Sequence, residues 1–175
     1  MILTGSEIKK QVKKGDIIIS PFNDSQVNPN SYNYRISNKL IEFRIKNDRK
    51  KTIKINIPKK GYILKPHKTY LASTFEILGS SKYAMSLIGR SSLGRLGLFL
   101  QVSANLGHTG SVHRWTLELV CAKPLKVYPH MIIGQISFWK NFGSITHYNE
   151  GYSKFNIPTI SYLEKERRNH DINRK

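Results

Sequence analysis

The stretch WTLELVCAKPLKVYPHMIIGQISFW, residues 115–139, decides the fold class. It holds three short apolar runs, Trp115–Cys121, Leu125–Tyr128 and Ile132–Trp139, rich in β-branched and aromatic residues and separated by Lys, Pro and His. Runs of this length, bounded by turn residues, read as strands. The pattern extends upstream through Leu40–Ile45, Thr52–Ile57, Tyr62–Leu64, Tyr70–Ile77, Ala84–Ile88 and Leu98–Ser103, and downstream to Ser144–Tyr148. Helical periodicity of useful length is absent after residue 14, apart from a single turn at Ser91–Leu96. These features predict an all-β domain, a distorted barrel or jelly roll. At the start, Thr4-Gly-Ser-Glu7 forms a capping box, and Ile8 and Val12 follow at i, i+4, so a short N-terminal helix is expected over residues 4–13. Ile17–Ser20 reads as a strand ended by Pro21, and residues 22–38, rich in Asn and Ser, read as loop. One domain is expected over residues 1–163, and the charged tail EKERRNHDINRK from Glu164 is expected to be frayed or disordered.

A chain of 175 residues with 39% apolar and 23% charged residues buries a core without metals or disulfides. The single cysteine, Cys121, lies in the apolar run TLELVCA and reads as a buried, inert thiol. No apolar stretch approaches the ~18 residues of a membrane span, and no signal-peptide core precedes the domain, so a soluble cytoplasmic protein is expected. The charge is lopsided: 29 Lys+Arg against 11 Asp+Glu, a formal +18. Such a field gathers polyanions. The lysines, however, cluster at Lys9–Lys14, Lys46–Lys60 and Lys165–Lys175, whereas Ala84 to Val112 contains only Arg90 and Arg95. No basic helix or aromatic–basic interleave supports sequence-specific nucleic-acid reading.

The segment GRSSLGRLG, residues 89–97, places two hydroxyls, two guanidiniums and three glycines between two predicted strands. Glycines let backbone N–H groups approach a ligand, Ser91 can cap a short turn whose N-terminus favours anions, and Arg90 and Arg95 offer forks suited to phosphate. Two readings stay open: an anion-binding loop, or an Arg-Ser turn that merely caps strands. Glu118 lies inside the strand run WTLELV, where a carboxylate is costly unless paired or used. Desolvation there would raise its pKa toward the range of a general base. A structural ion pair with Arg90 or Arg95 is the other reading.

In order and spacing these segments resemble the dCTP deaminase branch of the trimeric dUTPase-like superfamily. The opening MILTGSEI is similar to the family's N-terminal segment, and Pro29-Asn-Ser31-Tyr-Asn-Tyr-Arg35 to its P-x-S-x-D-x-R-L element. Leu64-Lys-Pro66 with Leu71-Ala-Ser-Thr74-Phe-Glu76, GRSSLGRLGL, WTLEL and Ile133-Gly-Gln-Ile-Ser-Phe138 match further elements in order. The resemblance implies a distorted β jelly roll assembled as a homotrimer, with active sites between subunits. It implies zinc-independent hydrolysis of the C4 amino group of dCTP, with Mg2+ escorting the nucleoside triphosphate. Carried over by position, Glu118 activates water, and Ser91 and the main-chain carbonyl of Ala104 hold that water. Ser92 and Arg95 bind phosphates and Arg90 supports the site. Gly110 and Tyr152 fall in substrate-contacting segments. No zinc is expected: one cysteine cannot supply a P-C-x-x-C pair, and the six histidines lack metal-ligand spacing.

The sequence departs from the family at three places. His108 and Ser111 stand where the family usually has the Asp and the aromatic residue of a D-x-G-aromatic loop. That loop meets the deoxyribose, and its Asp activates water in dUTP-cleaving members. The replacement argues against a diphosphatase step and leaves a ribonucleotide or modified cytidine open as substrate; His108 itself either binds sugar or phosphate or sits in a loop. Asn33 replaces the Asp of the P-x-S-x-D element. In the C-terminal segment Tyr152 is retained, while Lys154 stands at a position shifted from the family's lysine. The expected activity is deamination of dCTP to dUTP and ammonia. The alternatives are a dUTPase-like or bifunctional diphosphatase, and a non-catalytic nucleotide- or nucleic-acid-binding relative.

Overall fold

The computed structural model describes residues 1–46, 49–101 and 104–163. Helix α1 (Gly5–Lys14) is followed by β1 (Ile17–Ser20), β2 (Tyr32–Lys46), β3 (Arg49–Asn56), β4 (Tyr62–Leu64), β5 (Thr69–Thr74), β6 (Ile77–Ser80) and β7 (Tyr83–Gly89). A short helix α2 (Ser91–Arg95) leads to β8 (Leu98–Leu100), β9 (Leu106–Gly107), β10 (Val112–His113), β11 (Thr116–Cys121), β12 (Leu125–Val127) and β13 (Ile132–Lys140). The main sheet runs β8-β11-β5-β2-β13-β7-β9, with β3 hairpinned onto β2; β1-β6-β10 and β4-β12 form two smaller sheets. Every pairing is antiparallel. The result is a curled, half-barrel all-β domain of the expected class.

Helix α1 starts where expected. Thr4 is its N-cap, with Oγ1 accepting from the Glu7 amide at 3.4 Å, and Gly15 ends it at φ +80°, a conformation glycine adopts without steric cost. Ile8, fully buried, fastens the helix to the core. In the strands, alternation sorts the faces: Tyr83, Met85 and Leu87 of β7, Leu117, Leu119 and Cys121 of β11, and Ile133, Ile136 and Phe138 of β13 all point inward. Cys121 is buried as expected, and burial pushes its thiol pKa up.

Four local expectations are corrected. Residues 32–38 belong to β2 rather than to a loop: Tyr32, Tyr34 and Ile36 alternate and are fully buried, with ladder partners on β13 for Tyr32 and Tyr34 and on β5 for Ile36. Core burial and ladder bonds override the Asn/Ser-rich local signal. A Cβ on Gly134, opposite Tyr34, would meet that ring at 2.2 Å, so this crossing needs glycine. The predicted strand 70–77 divides at Phe75, whose amide turns away to Arg35 O at 2.7 Å. The predicted strand 98–103 ends at Leu100, with residues 102 and 103 outside the described part, and 144–148 pairs with no strand. Instead Tyr148 N bonds Thr109 O at 2.9 Å, and the segment crosses over a loop. The tail 164–175 lies outside the described residues. Among those described, no helix is long and apolar enough to cross a membrane.

Candidate active site

Because Leu117, Leu119 and Cys121 take the core face of β11, the residues between them are forced onto the other face. Thr116, Glu118 and Val120 therefore look outward. Glu118 stands opposite Leu71 of β5, whose own partner on the far side is Ile41 of β2. Phe43, Thr69, Leu71, Thr116 and Glu118 line one side of a cavity of about 480 Å³. Ala104, His108, Ser111, His113 and Trp115 add further walls, and Tyr148, Tyr152, Ser153, Thr159 and Ser161 complete it. The volume suits a small-molecule site.

The C-terminal segment is tied across this opening by specific bonds. Arg114 N donates to Asn156 Oδ1 at 3.0 Å and Thr159 N to Thr116 Oγ1 at 3.3 Å. The Tyr152 hydroxyl accepts from Tyr162 N at 2.8 Å, and the two rings pack at 4.7 Å. His108 lies exposed at the cavity edge, its ring 5.2 Å from that of Tyr148. His113 is buried against Trp115, with ring centroids 4.3 Å apart, and its Nδ1 meets Arg114 O at 3.0 Å. Burial pushes its pKa down, which favours the neutral imidazole.

Carboxylates embedded in and beside these strands fall into two kinds. Glu76 is buried and ion-paired, with Arg35 Nε donating to it at 2.6 Å and Arg35 N at 2.9 Å. Glu42 is buried and takes bonds from Arg44, Lys68 and Tyr62. Glu118 is half-buried, and among the described residues its carboxylate has neither an ion pair nor a hydrogen bond. The ion pair with Arg90 or Arg95, left open by the sequence, is thus not formed within the described chain. An unpaired carboxylate in a cavity is poised to act on a ligand.

The anion-binding segment is placed elsewhere. Ser91, Ser92 and Arg95 are exposed on α2, and Arg90 is its N-cap residue; Ser91 is not the cap, and no side chain bonds to the helix start. Leu98 pairs with Cys121 and Leu100 with Leu119, so α2 lies beyond the end of β8 remote from Glu118. That offset is at least three residues, roughly 10 Å at strand rise. A single chain brings Glu118, Ala104, His108 and Tyr152 to one cavity and leaves Arg90, Ser91, Ser92 and Arg95 outside it. Gly110 does not line the cavity: it adopts φ +99° under the C-terminal segment, where a Cβ would meet His147 Cβ at 2.9 Å. The side chain of Lys154 lies outside the described part.

Sequence reasoning passed over Phe43, Leu71, Trp115 and Gln101 as site residues. Each sits in an apolar or strand-like run that reads as core, and only the tertiary structure brings them to the cavity that Glu118 lines. A larger groove of about 810 Å³ lies elsewhere, lined by Lys9, Lys13, Phe22, Arg35 and Phe75. There Lys9 is paired to Asp24 and Arg35 to Glu76, so most of its charge is already spent within the fold.

Comparison with known proteins shows the family and the fold. The sequence profile described as dCTP deaminase-like matches residues 2–141. The "dCTP deaminase, dUMP-forming" of Clostridium botulinum (strain Eklund 17B / Type B) is 41% identical over 177 residues, covering 95% of this chain and 100% of that protein. The protein of the same name from Hathewaya histolytica is 43% identical over 156 residues, covering 86% of this chain and 90% of its own. Among solved structures, the 2'-deoxycytidine 5'-triphosphate deaminase from Agrobacterium tumefaciens superposes with a TM-score of 0.66 at 19% identity. That match covers 80% of this chain and 48% of the other, so this chain spans about half the length of that structure and shares its fold. With matching elements along most of its length and a lone carboxylate at the shared motif, the chain belongs to the dCTP deaminase-like family.

Proposed function

We propose that the protein hydrolyses the C4 amino group of a cytosine nucleotide, with dCTP as the preferred substrate and dUTP and ammonia as products. The observation that carries this reading is the Glu118 carboxylate, unpaired among the described residues, facing a cavity that Ala104 also lines. In the proposed step Glu118 takes a proton from a water whose other hydrogen is held by the Ala104 carbonyl. The hydroxide adds to C4 as the C4–N3 double bond opens, and the proton of the new hydroxyl passes to N3. Glu118 delivers its proton to the amino nitrogen, and the C4–N bond to that nitrogen breaks to release ammonia and leave the C4 carbonyl. Relatives named dCTP deaminase support the substrate class.

The charge of the cavity supports a site shared between subunits. Among its lining residues there are two histidines and neither lysine nor arginine, which leaves a triphosphate without cationic partners. The family resemblance carries such partners in Arg90, Ser91, Ser92 and Arg95, which lie on an exposed helix away from Glu118 in the same chain. Near α2, Leu96, Phe99 and Val120 expose apolar surface, and Phe99 pairs directly with Val120. We therefore place the α2 of a neighbouring copy against each Glu118 cavity in a homotrimer: Ser91 reaches the water, Ser92 and Arg95 the phosphates, and Arg90 supports them. Tyr152 and His108, which line the cavity, are assigned to its sugar and phosphate side.

The described residues offer no group of three His, Cys, Asp or Glu able to hold a metal. Mg2+ is accordingly proposed to arrive on the substrate's phosphates, neutralising their charge, with no resident ion cage. A cytoplasmic site of action fits a chain whose one thiol is buried and unpaired.

A second reading is favoured by one observation: the relatives from Clostridium botulinum and Hathewaya histolytica are both named "dCTP deaminase, dUMP-forming". A deaminase that also cleaves the triphosphate would release pyrophosphate as well as ammonia. His108, in place of the family Asp, argues that this chain stops at dUTP. Incubation with Mg2+ and, separately, dCTP, CTP, dCMP and dUTP separates the readings. Ammonia without pyrophosphate supports deamination alone, ammonia with pyrophosphate supports the bifunctional enzyme, and no turnover would overturn both.

A further inference from the structure

We propose that Gln101 is a positioning residue for the deamination, its side-chain amide locking the backbone of Glu118 to the carbonyl of Ala104. The assignment rests on the deamination reading of the Glu118 cavity. Strand β8 accompanies β11 only as far as the pair Leu100–Leu119. At the next residue the chain leaves the sheet, and Gln101 adopts φ +49°, a left-handed conformation uncommon outside glycine. Gln101 N still donates to Glu118 O at 3.3 Å. The acceptor that a further strand residue would have offered to Glu118 N is missing, and Gln101 supplies it from its side chain: Oε1 accepts from Glu118 N at 2.8 Å. The other end of the same amide, Nε2, donates to Ala104 O at 3.3 Å.

The orientation of the amide is forced by its partners. A backbone N–H only donates and a backbone carbonyl only accepts, so only one of the two amide orientations satisfies both. Gln101, Ala104 and Glu118 all line the same cavity. The two groups assigned to the attacking water are thus joined through one planar amide, where the strand ladder gives out. Residues held in unusual backbone conformations persist where the surroundings over-determine them, and such residues concentrate at functional sites. Glutamine meets the requirement because it carries one acceptor and one donor. Glutamate would set a carboxylate against the Ala104 carbonyl, methionine offers neither a donor nor a strong acceptor, and a neutral histidine carries one of each on its two nitrogens.

The test compares Gln101→Met and Gln101→His with the wild type, measuring kcat and KM for ammonia release from dCTP with Mg2+. Hydrogen exchange at the Glu118 amide is measured alongside, and size-exclusion chromatography follows assembly. For Gln101→Met, kcat is expected to fall about 10–100-fold, the scale of a small misplacement of reacting groups, with KM changed by less than about threefold. The Glu118 amide is expected to exchange about tenfold faster or more. Gln101→His is expected to restore both kcat and protection. A Gln101→Met enzyme with kcat within about twofold of wild type, or an equal loss in both variants, would overturn the positioning role while the wild-type activity leaves the deamination reading standing. A wild type that releases no ammonia from any cytosine nucleotide would overturn both.

Discussion

Glu118 on β11 stands directly opposite Leu71 on β5, on the sheet face turned away from the core. That pairing puts a carboxylate at the edge of a cavity while its strand neighbours Leu117 and Leu119 remain fully buried. The strand therefore holds the carboxylate at the cavity without burying it in hydrocarbon.

Replacing the carboxylate by its isosteric amide tests its role. Glu118→Gln is expected to lower ammonia release by about 10²–10⁴-fold, the usual worth of a general base, without altering assembly or melting temperature. Continuous ammonia assay and thermal unfolding on the same preparation check this, and substantial residual activity would remove Glu118 from the mechanism.

The proposed sharing of the site between subunits predicts complementation. Glu118→Gln and Arg95→Ala are each expected to be inactive as pure proteins. Unfolded together and refolded as mixed trimers, they are expected to regain about one quarter of the sites, since random mixing pairs an intact Glu118 with an intact neighbouring Arg95 that often. Mixed protein as inactive as its parents would place both residues in one chain's site.

The Arg35–Glu76 pair predicts a stability effect remote from the cavity. The Glu76 side chain is fully buried, and Arg35 holds it through both its guanidinium and its main-chain amide. Arg35→Met removes the positive partner and leaves the buried negative charge uncompensated, a loss expected to reach about 3–5 kcal/mol. Denaturant unfolding at neutral pH measures it, and a loss below about 1 kcal/mol would show that the pair is solvent-screened.

Glu42 predicts an acid limb in the stability curve. Its carboxyl is held down to about 2, first by the hydrogen bonds from Arg44 and further by those from Lys68 and Tyr62. A carboxyl whose folded pKa lies below its unfolded one contributes stability that is fully present above the unfolded value, about 4.5. That contribution is lost as pH falls from there toward 2. Glu42→Gln is accordingly expected to be less stable than wild type at neutral pH, with the difference shrinking through this acid window. Unfolding curves taken at intervals between neutrality and pH 2 check the sign; a difference that grows on acidification would contradict it.

How much was legible beforehand differs between elements. Thr4 and Glu7 mark the start of α1 by capping chemistry that acts within a few residues, and α1 forms there. The runs around Glu118 and Ile136 carry their strand signal locally, and they pair as strands. Tyr32–Ile36 does not: its Asn- and Ser-rich flanks read as loop, and only burial of alternate side chains and pairing with β13 make it a strand. The Ser144–Tyr148 run fails in the opposite sense: a loop carbonyl, that of Thr109, takes the Tyr148 amide.

Local chemistry in the sequence determined the all-β class, the N-terminal cap and the candidate groups Glu118, Ser91 and Arg95, because caps, turn residues and short motifs depend on neighbours along the chain; Ala104 entered only through the family resemblance. Tertiary structure decided which of those groups meet. Strand alternation and register turn Glu118 out of the core, bring Gln101 and Ala104 to it, and carry α2 to the far end of β8. Those placements depend on hydrogen bonds between strands distant in sequence, which no local pattern encodes.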